Sequence, residues 1–122
     1  MYLLIFSCGH RTCYRLFNGR IEVNDCDYTN YKILIKRWYA EIMASETLNL
    51  NGNGEFSSEK IGMHAQEDCK NDCPNGDYTM PDSIGIAILQ KKDNIILNET
   101  IFHCEDYIFN GDDIELPSIV LP

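Results

Sequence analysis

All three histidines of this 122-residue chain lie close in sequence to cysteines, and cysteine and histidine are the side chains that bind zinc best. Two short segments carry most of these residues, one around position 10 and one around position 70. Tetrahedral zinc commonly takes two pairs of ligands from two segments. The sequence therefore predicts one structural zinc, and no other cofactor, held by ligands drawn from Cys8, His10, Cys13, Cys69 and Cys73, with His64 and Cys104 as alternates.

The same six cysteines are compatible with two other chemical states. An even number of cysteines permits a full set of disulfides, whose pairing a sequence cannot choose. In that case Cys26 and Cys104 are natural candidates for long-range bridges. Buried free thiols, acting as small apolar side chains, are the third state. The spacings C-x4-C and C-x3-C are not the C-x2-C pairs typical of zinc domains, so zinc, disulfides and free thiols all stay open.

Catalytic chemistry has weaker support in the sequence. A cysteine–histidine dyad could be drawn from Cys8 and His10, or from Cys13 and His64, and it would suit a small cysteine-dependent hydrolase. However, the chain has no nucleophile elbow, no C-x-x-C redox motif, no glycine-rich phosphate loop and no H-E-x-x-H motif. We therefore predict no catalytic residues and regard an enzyme as the less favoured class.

The charge of the chain is strongly acidic and uneven. The net charge is -9. Residues 1–44 carry six basic and four acidic side chains, whereas residues 45–122 carry four lysines and fifteen acids. Phosphate backbones repel such a surface, so direct nucleic-acid binding is not expected. The charge favours a basic protein partner, or an acidic mimic of nucleic acid that blocks a basic DNA- or RNA-binding protein.

The main element predicted to position these groups is a helix. Apolar side chains recur at helical spacing from position 31 to position 43, with charged residues between them. This pattern predicts an amphipathic helix over about 28–45. Its buried side would hold Tyr31, Leu34, Ile35, Trp38, Ile42 and Met43.

The other predicted elements are strands. Asn18-Gly19 between two strand-like runs predicts an N-terminal hairpin with a type I′ turn. Residues 55–82 predict an irregular insertion that contains cysteines. Alternating and apolar runs predict strands at 83–91, 95–103 and 107–109, and an edge strand or an extended tail at 114–121. Together these elements predict one α+β domain over residues 1–122, with the helix packed on a largely antiparallel sheet.

The sequence indicates the function and the cellular compartment only in general terms. No apolar run is long enough to cross a membrane, and residues 1–6 lack the features of a signal peptide. We expect an intracellular protein if Met1 is the natural start, and a secreted one if Met1 was added to a mature chain, where the sequon Asn98-Glu99-Thr100 would matter. The sequence favours a small regulatory protein that binds another protein. Its Ile- and Asn-rich composition is typical of AT-rich genomes, so a viral or parasite host-modulating factor fits it.

Overall fold

The computed structural model describes residues 11–24, 27–39, 42–59, 61–65, 73, 80–111 and 113–121. In this part of the chain the helical residues are confined to two 3₁₀ turns, Tyr28–Asn30 and Cys104–Asp106, and the remaining regular structure is β-sheet. The strands in chain order are β1 Arg11–Glu22, β2 Tyr31–Tyr39, β3 Ile42–Asn49, β4 Glu55–Ser57, β5 Ile61–Ala65, β6 Ser83–Gln90, β7 Ile96–His103, β8 Ile108–Asn110, β9 Asp113–Glu115 and β10 Ile119–Val120. The predicted α+β fold is therefore wrong.

The strands form two sheets. One sheet is antiparallel, with four strands in the order β3-β2-β6-β7. The other has six strands built around β1. Along one edge of β1 lie β5 and β4, both antiparallel to it, and along the other edge lie β9 and β10, both parallel to it. Because these pairs follow one another along β1, and β8 pairs with β9, this second sheet is also four strands wide.

Strand β1 replaces the predicted N-terminal hairpin. Asn18 and Gly19 are extended residues in the middle of this strand, paired with Ser57 and Phe56 of β4. Gly19 is required by packing and not by a turn. A Cβ at Gly19 would overlap the ring of Phe56, which is buried in the core. The Asn-Gly pair therefore marks a close approach between two strands, and the hairpin prediction is wrong.

Strands β2 and β3 replace the predicted helix over 28–45. In β2 the buried side chains alternate, with Ile33, Ile35, Arg37 and Tyr39 facing inward. The strand is rich in aromatic and β-branched residues, which favour a pleated sheet. A charged residue at position 37 hid this alternation, because the sequence argument counted Arg37 as a solvent-facing side chain.

The segment 55–82, predicted to be an irregular insertion, contains two strands. Both β4 and β5 pair with β1, and the pairing register shifts by one residue between them. At this irregularity the hydroxyl of Ser58 accepts a hydrogen bond from the backbone N of Phe17 at 2.9 Å. Residues 60, 66–72 and 74–79 of the segment lie outside the described residues.

The strands predicted in the C-terminal half are confirmed. Predicted strands at 83–91 and 95–103 correspond to β6 and β7, and those at 107–109 and 114–121 correspond to β8, β9 and β10. The turn between β6 and β7 includes Asn94 at a positive φ of 60°, a conformation that asparagine tolerates better than most residues.

A single hydrophobic core lies between the two sheets. Each buried isoleucine in it contributes roughly 1.5–3 kcal/mol relative to exposure. The four-stranded sheet supplies Ile33, Ile35, Ile84, Ile86 and Ile88. The six-stranded sheet supplies Phe17, Ile21, Phe56, Ile114 and Ile119. The fold is therefore a sandwich whose two outer faces are available to present side chains.

Candidate binding face on the four-stranded sheet

The described residues do not bring the predicted zinc ligands together. Cys73 forms a disulfide with Cys104, with their Cα atoms 5.5 Å apart. Cys13, buried in β1, is also disulfide-bonded. Zinc binds the thiolate, so a cysteine in a disulfide is not a ligand. Over the described ranges, no three His, Cys, Asp or Glu side chains group together in a way that would hold a metal.

The other predicted ligands are not tested by the structure. Cys8, His10 and Cys69 lie outside the described residues, and His64 is described only through its backbone, opposite Thr12 in the β1–β5 pairing. Zinc binding at these residues stays a prediction that the described residues do not support. For Cys13, Cys73 and Cys104 the disulfide alternative is correct, and Cys104 forms a long-range bridge as that alternative expected, whereas Cys26 lies outside the described residues. The hydrolase dyad drawn from Cys13 and His64 also lacks its thiolate.

A more prominent feature is the outer face of the four-stranded sheet. Side chains alternate between the two sides of a strand, so the residues between the inward isoleucines of β2 point outward. These are Lys32, Leu34, Lys36 and Trp38. Strand β3 adds Met43, which pairs with Trp38 and is 51% exposed, and β7 adds Ile101, which pairs with Gly85 and is 57% exposed. Large apolar side chains from three strands therefore share this face.

The indole of Trp38 packs against the glycine beside it. A Cβ at Gly85 would lie 3.0 Å from both Cη2 and Cζ3 of the indole, and 4.0 Å from Cγ1 of Ile101. The indole therefore lies across the backbone of β6, with Ile101 on the far side. Trp38 and Ile101 border a shallow groove of about 190 Å³, whose floor is Gly85 and Ala87 and whose sides include Leu34, Lys36 and Glu99. Apolar walls with a few charged groups are typical of a recognition site.

The charge of this face is opposite in sign to that of the whole protein. The four lysines that the structure describes are Lys32 and Lys36 on the face itself and Lys91 and Lys92 in the turn after β6. None of the four forms an ion pair with a carboxylate in the described residues. Lys91 and Lys92 also line a separate cleft of about 500 Å³ with Asn30, Tyr31 and Gln90.

The interior of the sandwich contains a second unusual group, which is charged and buried. Arg37 is 2% exposed, and its Nη2 lies 3.6 Å from Oε1 of Glu46. Its guanidinium carbon is 5.8 Å from the centre of the Phe17 ring in the opposite sheet. The carboxylate of Glu46 also accepts the backbone N–H of Glu59, at 3.2 and 3.3 Å. This polar group therefore ties the two sheets together, with the guanidinium of Arg37 buried and Glu46 partly exposed.

Two tyrosines near this buried charge titrate at unusually high pH. Burial raises the pKa of Tyr39 above its usual value of 10, although the positive charges of Arg37 and Arg15 oppose the shift. Burial also raises the pKa of Tyr107, whose hydroxyl donates a hydrogen bond to the carbonyl of Pro81 at 3.0 Å. Both phenols are therefore neutral at physiological pH, and the hydroxyl of Tyr107 serves the interior of the fold through its hydrogen bond.

A cavity of about 730 Å³ lies at the six-stranded sheet. Several of its polar side chains are hydrogen-bonded to one another. Asn18 donates to Glu115 at 2.7 Å and accepts from Ser57 at 2.6 Å, and Asn51 donates to Glu55 at 2.9 Å. A cleft whose donors and acceptors are paired internally offers less to a ligand than the groove beside Trp38.

Comparison with known proteins does not assign this sandwich to a class. No protein-family model matches the chain, and no curated protein is significantly similar to it. The described part of the chain also has no helix with the length and apolar character needed to cross a bilayer. Function must therefore be argued from the groove itself. Sequence reasoning missed this face because it assigned Leu34 and Trp38 to the buried side of a helix, whereas a period of two would have separated them from Ile33 and Ile35.

Proposed function

We propose that the protein is a disulfide-stabilised β-sandwich that binds a protein partner through the groove beside Trp38. The partner presents an aliphatic side chain flanked by carboxylates. The observation that carries this proposal is the coincidence of exposed apolar side chains and lysines without ion pairs on one rigid sheet face. Contiguous exposed apolar surface is uncommon on monomeric proteins, and it often marks an interaction site.

The shape and charge of the groove support the choice of partner. A groove of about 190 Å³ accepts one or two side chains rather than a large cofactor. Its floor is made by Gly85 and Ala87, so a partner side chain can approach the backbone of β6 closely. Lys36 lines the groove and Lys32 lies two residues away on the same face, which favours carboxylates on the partner by charge complementarity. Aromatic side chains such as Trp38 are common energetic anchors of interfaces.

The disulfides support the kind of environment in which this binding would occur. Disulfides persist in oxidising compartments and are rare in reducing ones. Cys13, Cys73 and Cys104 are all disulfide-bonded. We therefore propose that the protein works outside the reducing cytosol. A cysteine-dependent hydrolase that uses Cys13 as its nucleophile is disfavoured for the same reason.

A selection from a displayed library of random peptides tests the proposal. Trp38 is the only tryptophan of the chain, so its fluorescence reports on the groove without a label. We expect the enriched peptides to combine aliphatic with acidic residues and to shift the Trp38 emission. Substitution Lys36→Glu should weaken them by about tenfold or more, equivalent to about 1.4 kcal/mol. Added salt should weaken binding in part, because the apolar contact remains.

A matched variant on the other face provides the control. Ile108 is exposed to a similar extent as Ile101, at 59%, but it lies on the outer face of the six-stranded sheet. Ile101→Ala should weaken the selected peptides and Ile108→Ala should not. Peptides that bind Trp38→Ala as well as the unsubstituted protein would refute the proposed site, and so would a selection that enriches basic peptides.

A nucleic-acid mimic is a second candidate, favoured by one observation. Glu22, Glu55, Asp113 and Glu115 all lie on the outer face of the six-stranded sheet, with Arg20 as the basic residue among them. A mimic would bind basic proteins through these carboxylates, and that binding would collapse in salt. Binding of polylysine that is lost on Glu22→Gln and Glu55→Gln, but kept on Lys36→Glu, would favour the mimic over the groove.

A further inference from the structure

The sequence contains one N-x-S/T sequon, Asn98-Glu99-Thr100, and the fold places it in strand β7. This strand lies at the end of the four-stranded sheet and pairs only with β6 among the described strands. The strand therefore has one open edge, which a strand inside the sheet would not have. The side chain of Asn98 is partly exposed, on the side of β7 that also carries the buried Phe102.

The side-chain geometry of the sequon leaves the reactive nitrogen available. The hydroxyl of Thr100 donates a hydrogen bond to Oδ1 of Asn98 at 2.8 Å. No residue in the described ranges accepts a hydrogen bond from Nδ2 of Asn98. Asn98 and Thr100 are two residues apart, so they lie on the same side of the strand. Glu99 and Ile101, which line the groove, lie on the opposite side.

The disulfides provide the second, independent argument. N-linked glycans are added in the secretory pathway, which is also the compartment where disulfides form. We infer that Asn98 is the attachment site of an N-linked glycan. In that reaction Nδ2 loses a proton and bonds to the anomeric carbon of a lipid-linked oligosaccharide, and the lipid pyrophosphate leaves with the electrons of the broken bond. This inference rests on the proposed oxidising compartment but not on the proposed partner.

The glycan also addresses a liability of this strand. An exposed edge strand with apolar side chains invites pairing with a second chain. Ile96 and Leu97 are 49% and 41% exposed, and the pairing of β7 with β6 shifts register there, leaving Leu97 unpaired. A glycan on Asn98 stands beside this edge and blocks strand addition. Because it lies on the side away from Glu99 and Ile101, it leaves the groove open.

Expression of the full chain behind a secretory leader in eukaryotic cells tests the inference. Intact-mass spectrometry before and after treatment with peptide N-glycosidase should show one glycan, whose release converts the asparagine to aspartate. Asn98→Gln and Thr100→Ala should abolish it. Thr100→Ser and Glu99→Gln keep the sequon and should retain it. A secreted wild-type chain that has its disulfides and no glycan would overturn the assignment.

The role of the glycan has its own readout, and the groove gives an internal control. We expect the enzymatically deglycosylated protein and Asn98→Gln to self-associate with concentration in sedimentation, whereas the glycosylated protein stays monomeric. Peptides selected against the groove should bind both forms equally. If both forms are monomeric at every concentration, the shielding role is wrong. If the glycan blocks the peptides, its placement away from the groove is wrong, even where the proposed function holds.

Discussion

The outer faces of the two sheets differ in how their polar groups are satisfied. On the six-stranded sheet, Asn18 joins Ser57 and Glu115 through hydrogen bonds of 2.6 and 2.7 Å. On the four-stranded sheet, Lys32 and Lys36 have no carboxylate partner among the described residues. Polar groups that are already hydrogen-bonded to one another gain less from a partner than unpaired ones. The face with unpaired charges around apolar side chains gains both charge pairing and apolar burial.

Exposure of single residues does not distinguish the two faces. Ile108 and Val120 of the six-stranded sheet are as exposed as Ile101. However, Ile108 pairs with Glu115 and Val120 pairs with Glu22, so each is isolated among carboxylates. On the other face the apolar side chains adjoin one another across three strands. The candidate site is therefore identified by exposed apolar side chains that adjoin one another, and not by the exposure of single residues.

The largest expected effect comes from removing the Cys73–Cys104 disulfide, which holds the end of the four-stranded sheet. For a sequence separation of 31 residues, we expect the double variant Cys73→Ser and Cys104→Ala to lose about 3 to 4 kcal/mol of unfolding free energy. Cys104 directly follows β7, so hydrogen exchange should accelerate most in β7 and less in β9. Equal acceleration of hydrogen exchange in β7 and β9 would contradict this prediction, because the disulfide would then stabilise both sheets to the same extent.

The next effect compares one glycine from each sheet. Gly19→Ala should cost about 1 to 3 kcal/mol, because the new methyl must displace the buried ring of Phe56. Gly85→Ala meets the partly exposed Trp38, which can tilt outward, so we expect less than about 1 kcal/mol together with a shift in tryptophan emission. Gly52→Ala, where nothing lies within 4 Å, is the control for any effect of adding a methyl group. Urea denaturation of the three variants orders them, and a larger loss for Gly85→Ala than for Gly19→Ala would contradict this packing.

A smaller effect tests whether hydrogen bonding on the six-stranded face stabilises the fold. Asn18→Ala removes the partner of both Ser57 and Glu115, and we expect a loss of about 1 to 2 kcal/mol. Lys36→Ala on the other face should stay within about 0.5 kcal/mol of the unsubstituted protein, because Lys36 has no described ion pair to lose. If both substitutions change stability equally, the two faces do not differ in the way that we infer.

The sequence was a good guide where one face of a strand is apolar and the ends carry turn residues. Both β6 and β7 were predictable for this reason. It failed at β2, where Arg37 is buried in phase with Ile33 and Ile35. No local pattern reveals that a charged residue will find a carboxylate and an aromatic ring from other strands. Because of this error, Trp38 was assigned to the buried side of a helix instead of the outer face of a sheet, and the candidate site was missed.

The Asn18-Gly19 pair failed for a related reason. Its turn-forming chemistry is real, but the constraint at Gly19 is the ring of Phe56, which lies 37 residues away in sequence. The cysteines raise the same difficulty, since spacing alone could not choose between zinc, thiols and the observed Cys73–Cys104 bridge. In each case the deciding contact is distant along the chain, and sequence spacing carries no information about it.

The smallest effect concerns the 3₁₀ turn that leads into β2, at the lysine-rich end of the four-stranded face. Asp27 accepts hydrogen bonds from the hydroxyl of Thr29 at 2.7 Å and from its backbone N at 3.2 Å. These bonds hold the pKa of Asp27 below its usual value of 3.8. The lowered pKa means that the folded state favours the charged carboxylate. The stabilisation is therefore complete above about pH 4 and is lost as the pH falls through the lowered pKa.

Asp27→Asn separates this contribution from the rest of the acid response. The amide keeps an oxygen acceptor but cannot gain a proton, so we expect the wild type to be slightly more stable above pH 4 and the two proteins to converge in more acidic solution. Paired denaturation curves across the acid range measure this difference. Because the turn adjoins Tyr31 and Lys32, and its Tyr28 packs beside Gly54, backbone amide shifts on acidification should differ between the two proteins mainly near the start of β2 and around Gly54. A difference in stability between the two proteins that grows as the pH falls would contradict this prediction. The charged carboxylate of Asp27 would then not stabilise the turn.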